Sequence, residues 1–502
     1  MKLKKIIAIL PIAALGACTS PNPNPSPVPP DPIEVPGEGF TPDYSTTFTP
    51  SYNYDIVPYG GEVAADAPQY PAADDGLNPQ LTPWKYIVDV KFDGLSTPDV
   101  RMQTGCPATV SIAGCDVDLN LGDADYIKVV VHGSCDAGSL RISGNRRHML
   151  QLNDLHLAST DRPAINDQNG KRVFLELVGQ TTLADGREYA AVPSGEDRKG
   201  CFFAEGNVVV CGDGVLTLRG NYSHGFATDG FLFVNSGATL AVTDAVRNAI
   251  HVKGSSSEAN AFRGVEIVGG YVYANTSAPR GKAMKSDSNI VIRGGEVNLN
   301  CSGDAAIDPD DGSLSSAACI KSDLTVQISG GAVSLTATGN GAKGIKANGS
   351  VTLSGGELTV ALSGDAMQGG GDSATPKGIK ADGNMMINGG GNYVSARGIG
   401  GVGIEAGFNL EINGGVTYTF GPAQGICCGG KPVYNGTGVL LAGGLRNARF
   451  PGMLEQTLTD VPALTVSSIM SENGKKLLGS FRWPVAMKSA SLIFLEPTAT
   501  VQ

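Results

Sequence analysis

The sequence reads Gly-Ile-Lys-Ala-Asn at 344–348 and Gly-Ile-Lys-Ala-Asp at 378–382, and three variants of this phrase lie nearby. The variants are Ala-Met-Lys-Ser-Asp at 283–287, Cys-Ile-Lys-Ser-Asp at 319–323 and Gly-Ile-Glu-Ala-Gly at 403–407. Each of the five copies is followed by an apolar-polar alternation that ends in Gly-Gly, such as Val-Thr-Leu-Ser-Gly-Gly at 351–356. Repetition of this kind indicates a repeat protein and takes precedence over any local prediction.

The spacing of the Gly-Gly pairs sets the size of one repeat. Their second glycines lie at 270, 295, 331, 356, 390, 415 and 444, so that the steps are 25, 36, 25, 34, 25 and 29 residues. Between the pairs, apolar and polar residues alternate as they do in strands. About 25 residues suit one coil of a parallel β-helix, whereas a propeller blade needs about 40 or more. We therefore predict an all-β parallel β-helix.

The two longest steps contain insertions at one position of the coil. They comprise Ala305–Ser316 and Ala366–Pro376, and each follows a Ser-Gly-Asp triplet. Insertions at one position project from one face of a solenoid, and that face is often the binding face.

The first residues of the chain have the pattern of an export signal. Three lysines precede a short apolar run, Ile6–Leu15, which is too short to span a membrane, and Leu-Gly-Ala-Cys ends at Cys18. A bacterial lipobox requires a cysteine at this place; an ordinary signal peptide with an incidental cysteine is the alternative. We predict a lipoprotein signal peptide at 1–18, with a lipid on Cys18 that anchors the protein to a membrane. The expected location is the cell envelope, at the outer membrane or the cell surface.

Composition divides the rest of the chain. Residues 19–83 form a proline-rich linker that we expect to be mostly disordered. Residues 84–200 show strand patterns, 201–445 carry the repeats of the β-helix, and 446–502 are predicted to form a C-terminal β cap on the open solenoid end. With 69 Gly, 29 Pro and 17% charged residues, the composition is typical of an all-β protein rich in turns.

Besides Cys18, the chain has nine cysteines. Export permits disulfides, and the local pairs 106/115, 201/211 and 301/319 are plausible, but nine is odd and connectivity cannot be read from a sequence. No two cysteines have the Cys-x-x-Cys spacing, which disfavours a zinc site.

These residues carry a resemblance to a known family. Leu177–Gly186, Gly212–Gly225 and the repeated Gly-Ile-Lys-Ala-Asp and Ile-Asn-Gly-Gly phrases make Ser139–Gly444 similar to the carbohydrate-binding right-handed β-helix proteins of bacterial cell surfaces. That family is related in fold to pectate lyases. The resemblance implies a right-handed coil, binding of polysaccharide, notably acidic pectin-like chains, and calcium ions in the stack. Related lyases combine calcium held by aspartates with a lysine that acts as base.

Coils stacked in register would place equivalent residues about 4.8 Å apart in columns. The phrase then gives two outward columns on one face and an inward apolar column, which comprises Met284, Ile320, Ile345, Ile379 and Ile404. The lysine column comprises Lys285, Lys321, Lys346 and Lys380 and is followed by Glu405; the aspartate column comprises Asp287, Asp323, Asn348, Asp382 and then Gly407. Either the columns only neutralise each other, with about 0–1 kcal/mol for each exposed pair, or the lysines bind carboxylates of an acidic glycan.

Six aspartates near the insertions are the candidate calcium ligands. Ca²⁺ takes six to eight oxygen ligands, and the first insertion is the most oxygen-rich loop of the chain, although it lacks the pattern of an EF-hand. A solvated acidic turn is the alternative. The candidates are Asp304, Asp308, Asp310, Asp311, Asp323 and Asp365.

Charge and aromatic content limit the choice of ligand. The formal net charge of −11 makes nucleic acid an unsuitable partner. A polyanionic glycan needs a local basic stripe or a bridging cation, which the lysine column and calcium would supply. Both tryptophans, Trp84 and Trp483, lie outside the repeats. Tyr271 with Tyr273 could form a small platform, and edge packing is an equal alternative for them. Neutral crystalline glycans are therefore the weaker hypothesis.

Three functions remain open: a lipoprotein that binds acidic polysaccharide with calcium, a polysaccharide lyase on the same fold, and a structural or adhesive stalk. For a lyase, Lys346 and Lys380 are the candidate bases, but a lysine in an exposed column stays a poor base. No carboxylate pair suggests a glycosidase. His224 and His251 are expected to be corner or packing residues. Binding is therefore favoured over catalysis.

Overall fold

The structure is a computed structural model that describes residues 79, 82, 84–191, 195–235, 237–254, 264–470 and 477–496. The predicted signal peptide, Cys18 and nearly all of the predicted linker lie outside the described residues. Within the described residues the chain forms 44 strands, and its regular structure is all-β, as predicted. None of the described segments is a helix long and apolar enough to cross a lipid bilayer.

The strands follow one another along the chain from Tyr86 to Leu495. The first are β1 (Tyr86–Asp93), β2 (Asp99–Met102), β3 (Thr109–Ala113), β4 (Asp116–Asn120), β5 (Ile127–Cys135), β6 (Ser139–Ser143), β7 (His148–Ala158), β8 (Ile165–Asp167), β9 (Val173–Val178), β10 (Gln180–Ala184), β11 (Gly200–Ala204), β12 (Val208–Gly212), β13 (Val215–Gly220), β14 (His224–Thr228), β15 (Leu232–Val234), β16 (Thr239–Ala245), β17 (Ile250–Val252), β18 (Val265–Ile267) and β19 (Tyr271–Thr276). The repeat region holds β20 (Lys282–Ser286), β21 (Ile290–Ile292), β22 (Glu296–Cys301), β23 (Ala306–Ile307), β24 (Leu314–Ser315), β25 (Ala318–Ser322), β26 (Val326–Ile328), β27 (Ala332–Ala337), β28 (Lys343–Ala347), β29 (Val351–Leu353), β30 (Glu357–Leu362), β31 (Met367–Gly369), β32 (Asp372–Ala374), β33 (Lys377–Ala381), β34 (Met385–Ile387), β35 (Gly391–Ala396), β36 (Val402–Ala406) and β37 (Leu410–Ile412). The last are β38 (Val416–Cys428), β39 (Pro432–Tyr434), β40 (Val439–Asn447), β41 (Leu454–Val461), β42 (Val466–Met470), β43 (Leu477–Arg482) and β44 (Met487–Leu495).

Each coil contributes three strands, and each strand pairs in parallel with its equivalent in the next coil. We call the three resulting series sheet A, sheet B and sheet C. Sheet A is β8, β11, β14, β17, β20, β25, β28, β33 and β36; sheet B is β9, β12, β15, β18, β21, β26, β29, β34, β37 and β39; sheet C is β10, β13, β16, β19, β22, β27, β30, β35, β38 and β40. This arrangement is that of a β-solenoid and agrees with the predicted stacking of coils.

The interior of the solenoid is filled by columns of apolar side chains. The predicted inward column is Met284, Ile320, Ile345, Ile379 and Ile404, and all five are completely buried. These residues are register partners from β20 to β36. The alternation read from the sequence therefore gives the correct face for this column.

Parallel pairing begins before the repeats become visible in the sequence. Strand β1 pairs in parallel with β5, and β5 with β7. The pairing of β8 with β11 then crosses the boundary predicted at residue 200. The segment 84–200 therefore continues into the coils without a break in pairing.

Each insertion forms an antiparallel hairpin. Strands β23 and β24 pair in the first insertion, and β31 and β32 pair in the second. The two hairpins pack on each other through β24 and β32. Both project from the connection between sheet C and sheet A, as insertions at one coil position should.

Antiparallel strands follow the last coil. Strand β44 pairs with both β40 and β41, and β42 pairs with β43. Here Trp483 and Phe481 pack with Phe420 of the last coil in a separate apolar cluster.

All nine described cysteines are free thiols. The three local pairs considered from the sequence are not joined in the structure. Instead, the Cys115 thiol faces that of Cys135, which contributes to raising the pKa of Cys115 after the larger effect of burial.

Candidate functional site

The predicted lysine column is present on sheet A. Lys285, Lys321, Lys346 and Lys380 are register partners across β20, β25, β28 and β33, and Glu405 follows in β36. The column exists because five copies of one phrase take the same place in successive coils. It puts four amino groups in a line along the solenoid.

The aspartate column neutralises three of these lysines. The Nζ of Lys285 lies 2.5 Å from Oδ1 of Asp287, and that of Lys380 lies 2.7 Å from Oδ1 of Asp382. Lys321 pairs with Asp323 and also donates to Oδ1 of Asn348 at 2.8 Å. The ion pairs that the structural interpretation expects are therefore present for these three lysines.

Lys346 differs from the other three because Asn348 takes the place of an aspartate in its coil. The amide of Asn348 is already used, since its oxygen accepts from Lys321 and its Nδ2 donates to Asp323 at 3.2 Å. Among the described residues, Nζ of Lys346 has neither an ion pair nor a hydrogen bond. Burial lowers the pKa of Lys346, and the neighbouring charges of Lys321 and Lys380 lower it further. Lys346 is thus the amine of the column that is left open to a ligand.

A second group of lysines, which was not predicted from the sequence, lies beside the first. Lys282, Lys343 and Lys377 begin β20, β28 and β33, and Lys343 pairs in register with Lys377. They are three residues before the lysine column, so simple alternation would put them on the opposite side. The pairing, however, skips one residue between Lys343 and Ile345. A lysine immediately precedes the repeated phrase in three of its five copies, and this was the available signal.

Lys343 is the most buried of these lysines, with 5% of its surface exposed. Its Nζ donates to Oγ of Ser316 at 3.0 Å and to the carbonyl oxygens of Gly341 at 2.9 Å and Thr375 at 2.6 Å. Burial lowers its pKa to about 7, with help from the charges of Lys377 and Lys346. Ser316 and Thr375 belong to the two insertions, so Lys343 ties both of them to sheet A.

Two histidines extend the same face toward the N-terminus. His251 precedes Lys285 in the register. The backbone N–H of Asn248 donates to Nδ1 of His224 at 3.2 Å, which leaves the proton of a neutral ring on Nε2, 3.1 Å from Nδ1 of His251. The Nε2 of His251 then lies 3.3 Å from Oδ1 of Asp287. Burial, followed by the charge on His251, lowers the pKa of His224 well below its usual value. The two rings are therefore a hydrogen-bonded extension of the aspartate column.

The six aspartates predicted to bind calcium are not brought together. Asp304 and Asp365 accept backbone N–H groups of the next coil, from Asn340 at 2.6 Å and Ile399 at 2.7 Å. Asp308 pairs with Arg280 at 2.6 Å. The remaining three are Asp310 and Asp311 in the first hairpin and Asp323 beside Lys321. No three of the six, all of them described, have carboxylate oxygens within 4.8 Å of one another.

A different acidic cluster does form, from Asp197, Glu205 and Asp229. Lys199 lies within it, with Nζ 2.6 Å from Asp197 and 2.7 Å from Asp229, and Lys253 approaches Asp229 at 2.9 Å. The two ammonium groups already balance most of this negative charge, so the cluster is explained by ion pairing.

The aromatic residues also differ from expectation. Tyr273 is 1% exposed and cannot offer a ring face to solvent, so the predicted platform of Tyr271 and Tyr273 is wrong. Tyr393 and Tyr418 instead stack on sheet C with ring centroids 5.4 Å apart and planes 11° from parallel. They are 25 residues apart in the sequence, so their proximity depends on the coil register.

Comparison with known proteins identifies the family to which the chain belongs. The chain belongs to the family of carbohydrate-binding domain-containing proteins, whose model matches residues 125–257, 241–366 and 326–422, together more than half of the chain. Polysaccharide is accordingly the class of partner, as predicted. No curated protein matches the chain.

Among solved structures, the polysaccharide lyase-like protein from C. thermocellum, in its gadolinium derivative, is similar. It is 16% identical, and the match covers 60% of this chain and 96% of that chain with a TM-score of 0.37. A likeness at that score carries no weight for either fold or function.

Proposed function

We propose that this protein binds acidic polysaccharide through the lysine face of sheet A, as a lipoprotein of the cell envelope anchored through Cys18. The family supports carbohydrate as the ligand. The acidic character of the ligand is inferred from the charge of the face. The lipid anchor, the envelope location and the right-handed coil remain predictions from the sequence.

The observation that carries the proposal is the in-register lysine column with an unpaired amine at Lys346. A column with one amino group in each coil, about 4.8 Å apart, suits a polymer that carries carboxylates at regular intervals. Lys285 and Lys380, with 24% and 25% of their side chains exposed, can change partners at low cost, since ion pairs at the surface contribute only about 0–1 kcal/mol. Lys321 is buried and stays with Asp323 and Asn348. Lys346 needs no such exchange. It is therefore the first contact that we assign to the ligand.

Calcium enters this proposal only as an expectation. The six aspartates do not fit a single site, because each of Asp304, Asp308 and Asp365 already serves a backbone or guanidinium partner. A Ca²⁺ ion needs six to eight oxygens at about 2.3–2.6 Å. No step of the proposed binding depends on the ion.

The proposal predicts a specific pattern of binding on a glycan array. Purified protein should bind polygalacturonate and other uronate-rich glycans more strongly than neutral glucans, and added salt should weaken this binding. Replacing calcium with EDTA in a parallel array measures whether the ion contributes. Failure to bind any glycan in either buffer would favour the structural stalk, and stronger binding to neutral glycans would exclude the acidic specificity.

A second candidate function is a polysaccharide lyase, which the environment of Lys346 favours over other enzyme classes. A lysine with a lowered pKa can act as general base at moderately alkaline pH. It would take the proton next to the uronate carboxyl group while the bond to the leaving sugar oxygen breaks, which creates a carbon–carbon double bond. Lys380 is the weaker base candidate because it pairs with Asp382.

For a lyase, incubation with polygalacturonate should give ultraviolet absorbance from the unsaturated product, and Lys346→Met should abolish it. If a control lyase is active and this protein yields no absorbance across the alkaline range, the protein is a binding protein without this activity.

A further inference from the structure

A groove of about 230 Å³ lies between sheet C and the C-terminal strands. Sheet C supplies Thr359, Tyr393 and Tyr418 to its wall, and Arg482 comes from β43 on the opposite side. The lysine column belongs to sheet A, so this groove lies on a different face of the solenoid.

The tyrosines give the groove an aromatic surface with one free face. Thr359, Tyr393 and Tyr418 are successive register partners on sheet C. The two rings stack nearly parallel along this column, so the second face of Tyr393 is turned toward Thr359. Because threonine is short, that face is left uncovered, and both rings are only half-buried. The column thus has room for one more flat ring next to Tyr393.

Two arginines give the groove its charge. Arg397 follows the end of β35, and Arg482 ends β43. In the part of the chain that the structure describes, neither guanidinium has an ion pair with a carboxylate. Guanidinium groups bind carboxylates through two parallel N–H···O bonds, so an anionic ligand complements the two arginines that line the groove.

The size of the groove limits the occupant. Pockets that take drug-sized ligands measure about 300–1,000 Å³, and this groove is slightly smaller. One or two sugar residues suit it, and its open sides let a longer chain continue. A nonpolar peptide would leave both arginines without partners.

We propose that this groove is a second glycan-binding site, in which one uronic acid residue stacks on the free face of Tyr393 and directs its carboxylate to Arg397 and Arg482. The ligand class rests on the function proposed above, whereas the location and the contacts are independent of the lysine column. Two binding faces on one solenoid would let the protein bridge two polysaccharide chains.

Calorimetric titration with trigalacturonate tests this site, and cellotriose serves as the neutral comparison. The titrations use the unaltered protein and a variant with Lys321, Lys346 and Lys380 all changed to Met, so that the sheet A face does not mask the groove. In the lysine variant, Tyr393→Ala should weaken trigalacturonate binding about tenfold, whereas Tyr393→Phe, which keeps the ring, should stay within about twofold. Arg397→Gln with Arg482→Gln should cause a similar loss.

The matched control is Arg449→Gln, which removes an exposed arginine that pairs with Glu455 and is not among the residues that line the groove. It should leave binding unchanged. Thermal unfolding followed by circular dichroism shows whether each variant is folded; if Tyr393→Ala does not fold, the arginine variants decide.

Five outcomes would overturn the assignment. Equal binding by Tyr393→Ala and Tyr393→Phe would do so, as would stronger binding of cellotriose than of trigalacturonate. A concentration-dependent dimer that Tyr393→Ala abolishes would make the groove a self-association surface. Loss of all binding in the lysine variant, with the unaltered protein binding normally, would overturn this site alone; no binding by the unaltered protein would overturn both proposals.

Discussion

Changing Lys321, Lys346 and Lys380 together to methionine is expected to weaken binding of acidic polysaccharide about a hundredfold. Each lysine should contribute about 1 kcal/mol, Lys346 and Lys380 through charged contacts in partly exposed surroundings and the buried Lys321 through its charge beneath the face. About 1.4 kcal/mol corresponds to a factor of ten. Lys346→Met should have the largest single effect, because this amine has no carboxylate partner to give up. Titration with polygalacturonate fragments at two salt concentrations measures the change.

The control for charge is a variant with Lys91, Lys171 and Lys488 changed to methionine, which lowers the net charge equally. These three lysines are exposed and lie outside the repeated phrase. Affinity in this control should fall by a small factor only. Equal losses in the two triple variants would mean that general charge, and not the column, attracts the ligand; an unchanged affinity in the first would reject the lysine face as the site.

Gly364→Ala is expected to destabilise the solenoid strongly, by about 3 kcal/mol or more. A Cβ at Gly364 would lie closer than 3.0 Å to the carbonyl group of Gly339 in the preceding coil. Gly303, Gly339 and Gly398 have the same close contact with the coil before them, so the contact is a property of the stack. Because the obstructing atoms are backbone, no side-chain rotation can relieve the clash, and two coils must move apart.

Thermal unfolding should show this as a clearly lower melting temperature for Gly364→Ala than for the unaltered protein. Gly170→Ala is the matched control, since a Cβ there would meet no atom within 4 Å and the backbone angle is not in the left-handed region. This control should melt like the unaltered protein. Equal melting temperatures for the two alanine variants would show that the coil spacing adapts more easily than the structure implies.

The sequence was sufficient to predict the columns, because a repeated phrase in a solenoid must place equal residues at equal positions. Ile345 and Lys346 illustrate this. Their alternation along the strand predicted the inward and outward faces, and the equivalent residues in the other copies of the phrase predicted the register. The alternation failed at Lys343, because the pairing skips one residue before Ile345 and so changes the face to which the first residues of the strand point.

Contacts for which a side chain has several possible partners could not be predicted from the sequence. Asp304 and Asp365 bind backbone amides in place of a metal because the next coil presents N–H groups to them. To predict the stack of Tyr393 on Tyr418, one would need the length of that coil without an error of a single residue, because the two rings meet only when their residues are in register. The open amine of Lys346 was within reach of prediction, since Asn348 is visible in the sequence as a break in the aspartate column.

The coil repeat also affects how a polymeric ligand would align on the lysine face of sheet A. A ligand with regularly spaced carboxylates has several nearly equivalent alignments on a periodic row of amines, so longer chains gain affinity from the number of alignments as well as from the number of contacts. Asn348 and Glu405 make these alignments unequal, since Asn348 leaves Lys346 without a carboxylate partner and Glu405, which pairs with Lys377, offers the ligand no amino group. The face would therefore favour alignments that place a carboxylate at Lys346, and the row of amino groups would end at Glu405.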